Sequence, residues 1–306
     1  MAQIPLLVIQ GPTASGKTGW AIRLAKFFPL EVISADSRQV YRRMDIGTAK
    51  ASLEERAGIP HHMLDLIDPD ESYSVGDFVT AAREIATEIF ARGKLPCVVG
   101  GTGLYTRALM GGLADVPRGD DDLRIQLNQR EEQLGPGTLY ADLQQIDPVS
   151  ASGVHPHNLV KIIRALEVWK LTGERISDLQ RKHGFVDPLF KSLSFVPDWS
   201  KETLHQRIAE RTRHMVDNGL IEETAALVAD YGENLKSLQT LGYREALAYL
   251  RGEASRDEIK DMIALQTRRY AKRQLTWFRK ESETIWVDSC QESDRVLDLI
   301  DNLILP

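Results

Sequence analysis

Eight residues near the N-terminus, Gly11-Pro12-Thr13-Ala14-Ser15-Gly16-Lys17-Thr18, restrict this chain to a narrow class of architectures. They match the pattern GxxxxGK[ST] in full. The β-rich run Ile4–Gln10 precedes them and Thr18–Phe28 reads as a helix after them, the setting in which such a stretch forms a phosphate loop. The glycines let the backbone curl so that its N–H groups point inward, and the helix N-terminus adds positive potential. Lys17 contributes a point charge, and the Thr18 hydroxyl can hold Mg²⁺. The loop thus predicts a polyphosphate ligand without naming one; ATP or another nucleotide is a candidate.

Strands and helices alternate after the loop. Glu31–Ala35 is a second strand ending at Asp36, and Ser74-Val75-Gly76-Asp77 reads as a capping box opening a helix to about Arg92. Leu95–Val99 is a buried-type strand ending at Gly100-Gly101-Thr102-Gly103. This order predicts an α/β fold, a parallel sheet flanked by helices in the manner of P-loop NTPases. From about Gly119 to Gly184 strand signals vanish. Helices are expected over Asp121–Leu134, Thr138–Gln145 and Asn158–Leu171, the last with Leu159, Ile162, Ile163, Leu166 and Trp169 on one face. Residues 119–184 therefore read as an all-helical insertion, and 1–118 with 185–306 as the catalytic core. Lys191–Val196 returns to strand character. Helices follow over Lys201–Asn218, Ile221–Tyr231, Tyr243–Arg251 and Arg256–Arg279, then a last strand at Thr284–Val287 and a helical tail.

The 306 residues, 42% hydrophobic and 27% charged, suffice for a full core without disulfides or a structural metal. The two cysteines, Cys97 and Cys290, form no CxxC pair, and Cys97 lies in an apolar run that predicts packing rather than reactivity. Sparse cysteine fits a reducing cytosol. The apolar start lacks the basic leader and cleavage site of a signal peptide. No apolar run approaches the ~18 residues of a membrane span.

Several residues can do chemistry. Asp36 follows a strand at the carboxyl end, where open sheets bind ligands, and can accept a proton from a nucleophile; an ordinary helix N-cap is the plain alternative. Ser37 and Gln39 add hydrogen-bonding groups beside it. Gly100-Gly101-Thr102-Gly103 permits close backbone approach and adds one hydroxyl. His61-His62 with Asp65 lacks the further ligands of a complete metal site. No acid ends the strand Leu95–Val99, so diphosphate binding is better supported than γ-phosphate hydrolysis, though Asp65 could fill the metal role. Arg207 and Arg211 share a helical face and could reach a diphosphate. The net charge of −6 argues against a nucleic-acid partner, but Arg268–Lys280 holds six basic residues and no acid. Such a face, interleaved with Tyr270 and Trp277, can neutralise phosphates while an aromatic stacks on an unpaired base. The expected compromise packs Ile263, Tyr270 and Trp277 inward and turns the charges outward.

Eight ordered segments, covering about residues 4 to 280, together resemble bacterial tRNA dimethylallyltransferases. They are GPTASGKT, ISADSRQVYRRMDIGTAK, GIPHHMLDLIDPDESYSVGDF, VVGGTGLY, RALEVWKLTG, RIAERTRHMVDNGLIEE, LGYRE and TRRYAKRQLTWFRK. The resemblance implies a monomeric cytoplasmic prenyltransferase with a channel between core and insertion. Dimethylallyl diphosphate would enter one end, and the adenine 3′ of the tRNA anticodon the other. It further implies that Gly11–Thr18 bind the diphosphate and that Asp36 and Thr102 flank the adenine amine with Asp36 as base. The tRNA contacts carried over are Asp36, Ser37, Arg38, Gln39, Thr102 and Arg124; Val160, Lys161, Ile162, Ile163 and Arg164; Gln239, Thr240, Leu241, Gly242, Tyr243 and Arg244; and Lys272, Arg273, Gln274, Leu275, Thr276, Trp277, Phe278 and Arg279. Where the family carries QRLSR-like polar residues, this chain has Val160-Lys161-Ile162-Ile163-Arg164, with fewer polar groups.

Other readings share parts of this pattern. An adenylate isopentenyltransferase acting on free AMP or ATP would keep the loop and Asp36 but need neither the insertion nor the basic face. A small-molecule kinase would consume ATP. A pure RNA-binding module leaves the phosphate loop unexplained.

Overall fold

The computed structural model describes residues 3–184, 189–288 and 293–304. In chain order the elements are β1 (Ile4–Gln10), α1 (Lys17–Leu24), β2 (Leu30–Ser34), β3 (His61–His62), α2 (Val75–Ala91), β4 (Leu95–Gly100) and α3 (Gly103–Gly111). Then come α4 (Asp121–Leu134), α5 (Thr138–Ile146), α6 (Pro148–Ser152), α7 (Leu159–Thr172) and α8 (Ile176–His183). The chain closes with β5 (Phe190–Asp198), α9 (Lys201–Asp217), α10 (Leu220–Tyr231), α11 (Tyr243–Leu250), α12 (Arg256–Phe278), β6 (Ile285–Asp288) and α13 (Ser293–Ile304). Two compact units result: Met1–Met110 with Pro188–Pro306, and Gly111–Asp187.

The first unit is built on a six-stranded sheet of order β3-β2-β4-β1-β5-β6, with every pairing parallel. Parallel strands need crossover connections, and helices supply them. β1 sits inside the sheet between β4 and β5, in register Leu7↔Cys97 and Leu7↔Leu193. Its run Leu6–Ile9 is fully buried, as a strand covered on both faces must be. α1 packs Trp20 and Leu24 against Leu7, Ile9, Cys97 and Phe195, and Trp20 meets Phe195 edge-on at 5.4 Å. Burying side chains of this size stabilises by about 1.5–3 kcal/mol each. A second apolar cluster joins Val40 and Met44 to α9, α10, α11 and α12 through Val216, Leu220, Tyr243 and Ile263.

Local signals explain the helix ends. Ser74 and Asp77 form the reciprocal capping box at the start of α2. Ser255 and Glu258 do the same for α12. α1 stops at Leu24 rather than Phe28, and Phe27 is exposed. β3 has two residues, too short for any apolar period, and pairs through Val32↔His61.

The second unit is all-helical. Leu127, Leu139, Leu143, Ile162, Ile163 and Leu166 form its core. Trp169, expected on the packed face of α7, is instead 39% exposed. Glu167 on the same helix is fully buried, and its carboxylate accepts from Arg124 Nε at 2.8 Å, Arg164 Nη1 at 2.5 Å and the Asp120 amide at 2.8 Å.

Cys97 is buried within β4, and burial pushes its thiol far up. Cys290 lies outside the described residues. Among the described residues no helix is long and apolar enough to cross a membrane.

Candidate active site

The loops after β1, β2 and β4 meet at the carboxyl edge of the sheet, around a cavity of about 420 Å³. Thr13, Ala14, Gly16, Lys17 and Thr18 line one side; Asp36, Ser37, Arg38 and Gln39 line another, with Gly100, Gly101 and Arg211. Gly11 and Ser15 are buried beneath the loop. The phosphate loop and Asp36 therefore open onto one space.

The loop's shape is held from outside. Ala14 takes a left-handed φ of 64° and Gly16 one of 82°, caps α1 and starts the helix. Arg207 Nε donates to the Ala14 carbonyl at 2.8 Å, and Trp199 Nε1 donates to the Ser15 carbonyl at 2.9 Å. The Arg207 guanidinium also lies 4.8 Å over the Trp199 ring. With these carbonyls drawn away, the amides of the turn can face the cavity. Lys17 Nζ donates to the Gly11 and Pro12 carbonyls at 3.1 and 2.7 Å. Burial, then the nearby Arg211 charge, pushes the Lys17 ammonium down to about 7, with Asp36 opposing. Burial likewise lowers Arg211, whose Nη2 reaches the Thr48 carbonyl at 3.5 Å. A cationic site left partly unneutralised in this way is suited to an incoming polyanion.

Asp36 accepts the Arg38 amide on Oδ1 at 2.9 Å, a tight turn that aims the carboxylate. Thr102 Oγ1 accepts the Ser37 amide at 3.1 Å, joining the loop after β4 to the loop after β2. Gln39 accepts from Ser34 Oγ at 2.9 Å. The following loop is clasped by Glu223, which accepts the amides of Asp45, Ile46 and Gly47 at 3.0, 2.9 and 3.1 Å and the Tyr243 hydroxyl at 2.6 Å. Tyr243 packs directly against Gly47, where any Cβ would stand 2.4 Å from the ring.

The other expected positions separate by burial. Gln239, Thr240 and Leu241 line the cavity; Tyr243 borders it but is fully buried, with its hydroxyl spent on Glu223, Gly242 is buried too, and Arg244 is exposed and paired with Glu245. Along α12, Arg273 and Gln274 reach the cavity, and Lys272, Thr276 and Arg279 are exposed. Tyr270 lines the cavity rather than the core, and burial, then Asp36, pushes its hydroxyl up to about 12. Phe278 is fully buried, which removes it as a tRNA contact. Leu275 is half-buried and packs with Leu204, Ile208 and Trp199. Trp277 covers Gly103 with Arg107 stacked 4.5 Å above its ring. In the helical unit Val160 and Lys161 are exposed, but Ile162 and Ile163 are buried core residues and cannot present side chains to tRNA. Arg124 and Arg164 remain partly exposed while bound to Glu167.

His61 and His62 do not converge on a metal. His62 Nε2 bonds Glu31 at 2.7 Å, and His61 Nδ1 faces the Ile59 carbonyl at 2.8 Å. Asp65 is held by Lys50 at 2.6 Å and lines not this cavity but a neighbouring one, which Thr18 and Arg211 also border. Trp199 lies in no sequence motif, and Glu223, though it ends the segment Arg207–Glu223, shows its clasping role only through tertiary contact.

A family model described as IPP transferase matches residues 39–281, and one described as isopentenyl transferase matches residues 4–66. The chain is 48% identical to tRNA dimethylallyltransferase 1 of Syntrophotalea carbinolica, across 98% of this chain and 96% of that one. It is 45% identical to tRNA dimethylallyltransferase of Geobacter sulfurreducens, across 92% and 91%. Among solved structures, the full-length tRNA isopentenylpyrophosphate transferase of Bacillus halodurans aligns with a TM-score of 0.72 at 39% identity, covering 98% of this chain and 96% of that one. A eukaryotic dimethylallyltransferase acting on tRNA aligns with a TM-score of 0.83 at 30% identity, covering 97% and 79%. With the match spanning the phosphate loop, Asp36, the helical unit and the basic helix, the chain belongs to the IPP transferase family, among the tRNA dimethylallyltransferases.

Proposed function

We propose that this chain transfers the dimethylallyl group of dimethylallyl diphosphate to the exocyclic amine of the adenosine just 3′ of the anticodon in tRNA. One observation carries the chemistry: an anion cradle and a carboxylate open onto the same cavity of about 420 Å³.

In the transfer, the allylic carbon–oxygen bond breaks and its electron pair leaves with the diphosphate. A carbon–nitrogen bond forms, and the amine gives up one proton. Amides of the loop, Lys17 and Arg211 stabilise the charge growing on the leaving group; losing one such donor typically costs about 10²–10³ in rate. The adenine amine is a weak nucleophile because its lone pair is delocalised into the ring, so positioning matters. Asp36, aimed by the Arg38 amide, takes the proton. Thr102 is tied to Ser37 beside it and orients the amine. The base must leave the stacked loop to reach this carboxylate.

A Mg²⁺ fits the donor set present. Thr18 lines the cavity beside Lys17, and Mg²⁺ commonly takes few protein ligands and several from phosphate and water. When bound it would add charge compensation for the diphosphate.

The exposed charges of α12 and the helical unit favour tRNA over free AMP, which would need neither. The substrates support a cytoplasmic reaction. Incubation with labelled dimethylallyl diphosphate and bulk tRNA, followed by nucleoside analysis, should yield one prenylated adenosine; label on AMP alone, or a phosphorylated product from ATP, overturns the reading.

A further inference from the structure

α12 presents one face to the interior: Ile263, Thr267, Ala271, Gln274 and Phe278, spaced three to four residues apart. Gln274 is the one amide in this buried stripe. Its side chain is only 6% exposed, and burying an amide is unfavourable unless both ends are bonded. Both are. Gln274 Nε2 donates to the Gly101 carbonyl at 2.8 Å, and its Oε1 accepts the Thr13 amide at 2.9 Å. The two partners belong to different loops, one after β1 and one after β4, and these strands are adjacent in the sheet. One side chain therefore spans the gap between the phosphate loop and the glycine turn.

The fit is close. A Cβ on Gly101 would stand 2.5 Å from Gln274 Nε2, and one on Gly103 would stand 2.2 Å from Trp277 Nε1. Gln274 and Trp277, one turn apart, thus rest on the two glycines that flank Thr102. The opposite side of α12 carries the exposed Arg268, Arg269 and Lys272.

We infer that Gln274 is a positioning residue: it sets the spacing between the diphosphate cradle at Thr13 and the turn that carries Thr102. This rests on the prenyl-transfer reading above. It also gives Gln274 a task other than direct contact with tRNA. An error of 1 Å between leaving group and nucleophile can cost about 10²-fold in rate, so loosening this spacing should act on turnover rather than on tRNA capture.

The test compares Gln274→Met with the parent enzyme. Met keeps the buried stem and removes both hydrogen bonds, so a merely packing role would tolerate it. The expected result is a fall in kcat of about tenfold or more. The KM for dimethylallyl diphosphate should rise, while tRNA affinity and its salt dependence stay within about twofold. Should kcat and that KM stay within twofold, the assignment is wrong. Should tRNA affinity and its salt slope fall instead, Gln274 is a tRNA contact and the assignment is equally wrong. If Gln274→Met does not fold, Gly101→Ala presses on the same bond from the other side and must give the same split. Parent enzyme that transfers no prenyl group to tRNA would sink the functional reading itself, a result separable from either variant's behaviour.

Discussion

Arg207 Nε donates to the carbonyl of Ala14 at 2.8 Å, one helical turn before Arg211 reaches into the cavity. One arginine braces the phosphate loop from behind while the other lines the cavity in front of it. Arg207→Ala should therefore raise the KM for dimethylallyl diphosphate about tenfold, the effect of one lost supporting contact, and leave tRNA affinity unchanged. Steady-state kinetics with each substrate varied in turn would show it; an unchanged donor KM would leave Arg207 as surface charge stacked on Trp199.

Lys17 should make donor capture depend on pH near neutrality. Its ammonium is pushed down to about 7 by burial and Arg211, so the free enzyme loses this charge as pH rises through about 7. kcat/KM for dimethylallyl diphosphate should fall across that window, since this ratio reports the free enzyme. The bound diphosphate favours the charged form, so binding at pH 8 should take up a proton, readable by calorimetry in buffers of different ionisation heat. Stability runs the other way. The folded state binds fewer protons than the unfolded one between about 7 and the ordinary 10.5, so this lysine makes folding more favourable as pH rises. Proton-neutral binding at pH 8 would contradict the account.

Lys272 and Arg273 are exposed on α12, and Arg273 also lines the cavity. Replacing both by Ala should weaken tRNA binding and reduce its dependence on salt by about 1.5 in logarithmic slope, as expected for two lost phosphate contacts. Filter binding at several salt concentrations checks this; an unchanged slope returns both charges to the solvent.

Glu167 orders two arginines of the helical unit. Burial alone would raise its pKa, but Arg164, the Asp120 amide and Arg124 together hold it below the ordinary 4.5. The stability it contributes is present above that ordinary value and lost as pH falls through the lower, folded one. Glu167→Gln should cost about 1–3 kcal/mol at pH 7 and weaken tRNA binding by releasing Arg124 and Arg164. Denaturant titration at pH 7 and in acid should show the gap closing at low pH; equal stability at pH 7 would refute it.

Much of this was legible in the chain. The phosphate loop, Asp36 and the glycine turn each follow a buried strand, and the parallel sheet brings strand ends together by construction. β3 was hidden because two histidines carry no period. α3 was hidden because it begins in a glycine turn, and α6 because five residues are too few for an amphipathic pattern. The burial of Ile162, Ile163 and Phe278 was readable from helical spacing, but positional carry-over from the family ignored side-chain direction. Trp199, Glu223 and the two hydrogen bonds of Gln274 depend on partners 20 to 261 residues away in sequence, a distance that no local pattern encodes.

In the proposed transfer Asp36 takes the proton of a nucleophile placed opposite the cradle. Single-turnover transfer of labelled dimethylallyl groups to an anticodon stem-loop, by the parent enzyme and by Asp36→Ala, tests it most directly. The account predicts a loss of about 10²-fold or more, within the range for general base catalysis, with stem-loop affinity within a few-fold. Transfer by Asp36→Ala at a rate close to the parent's would contradict it.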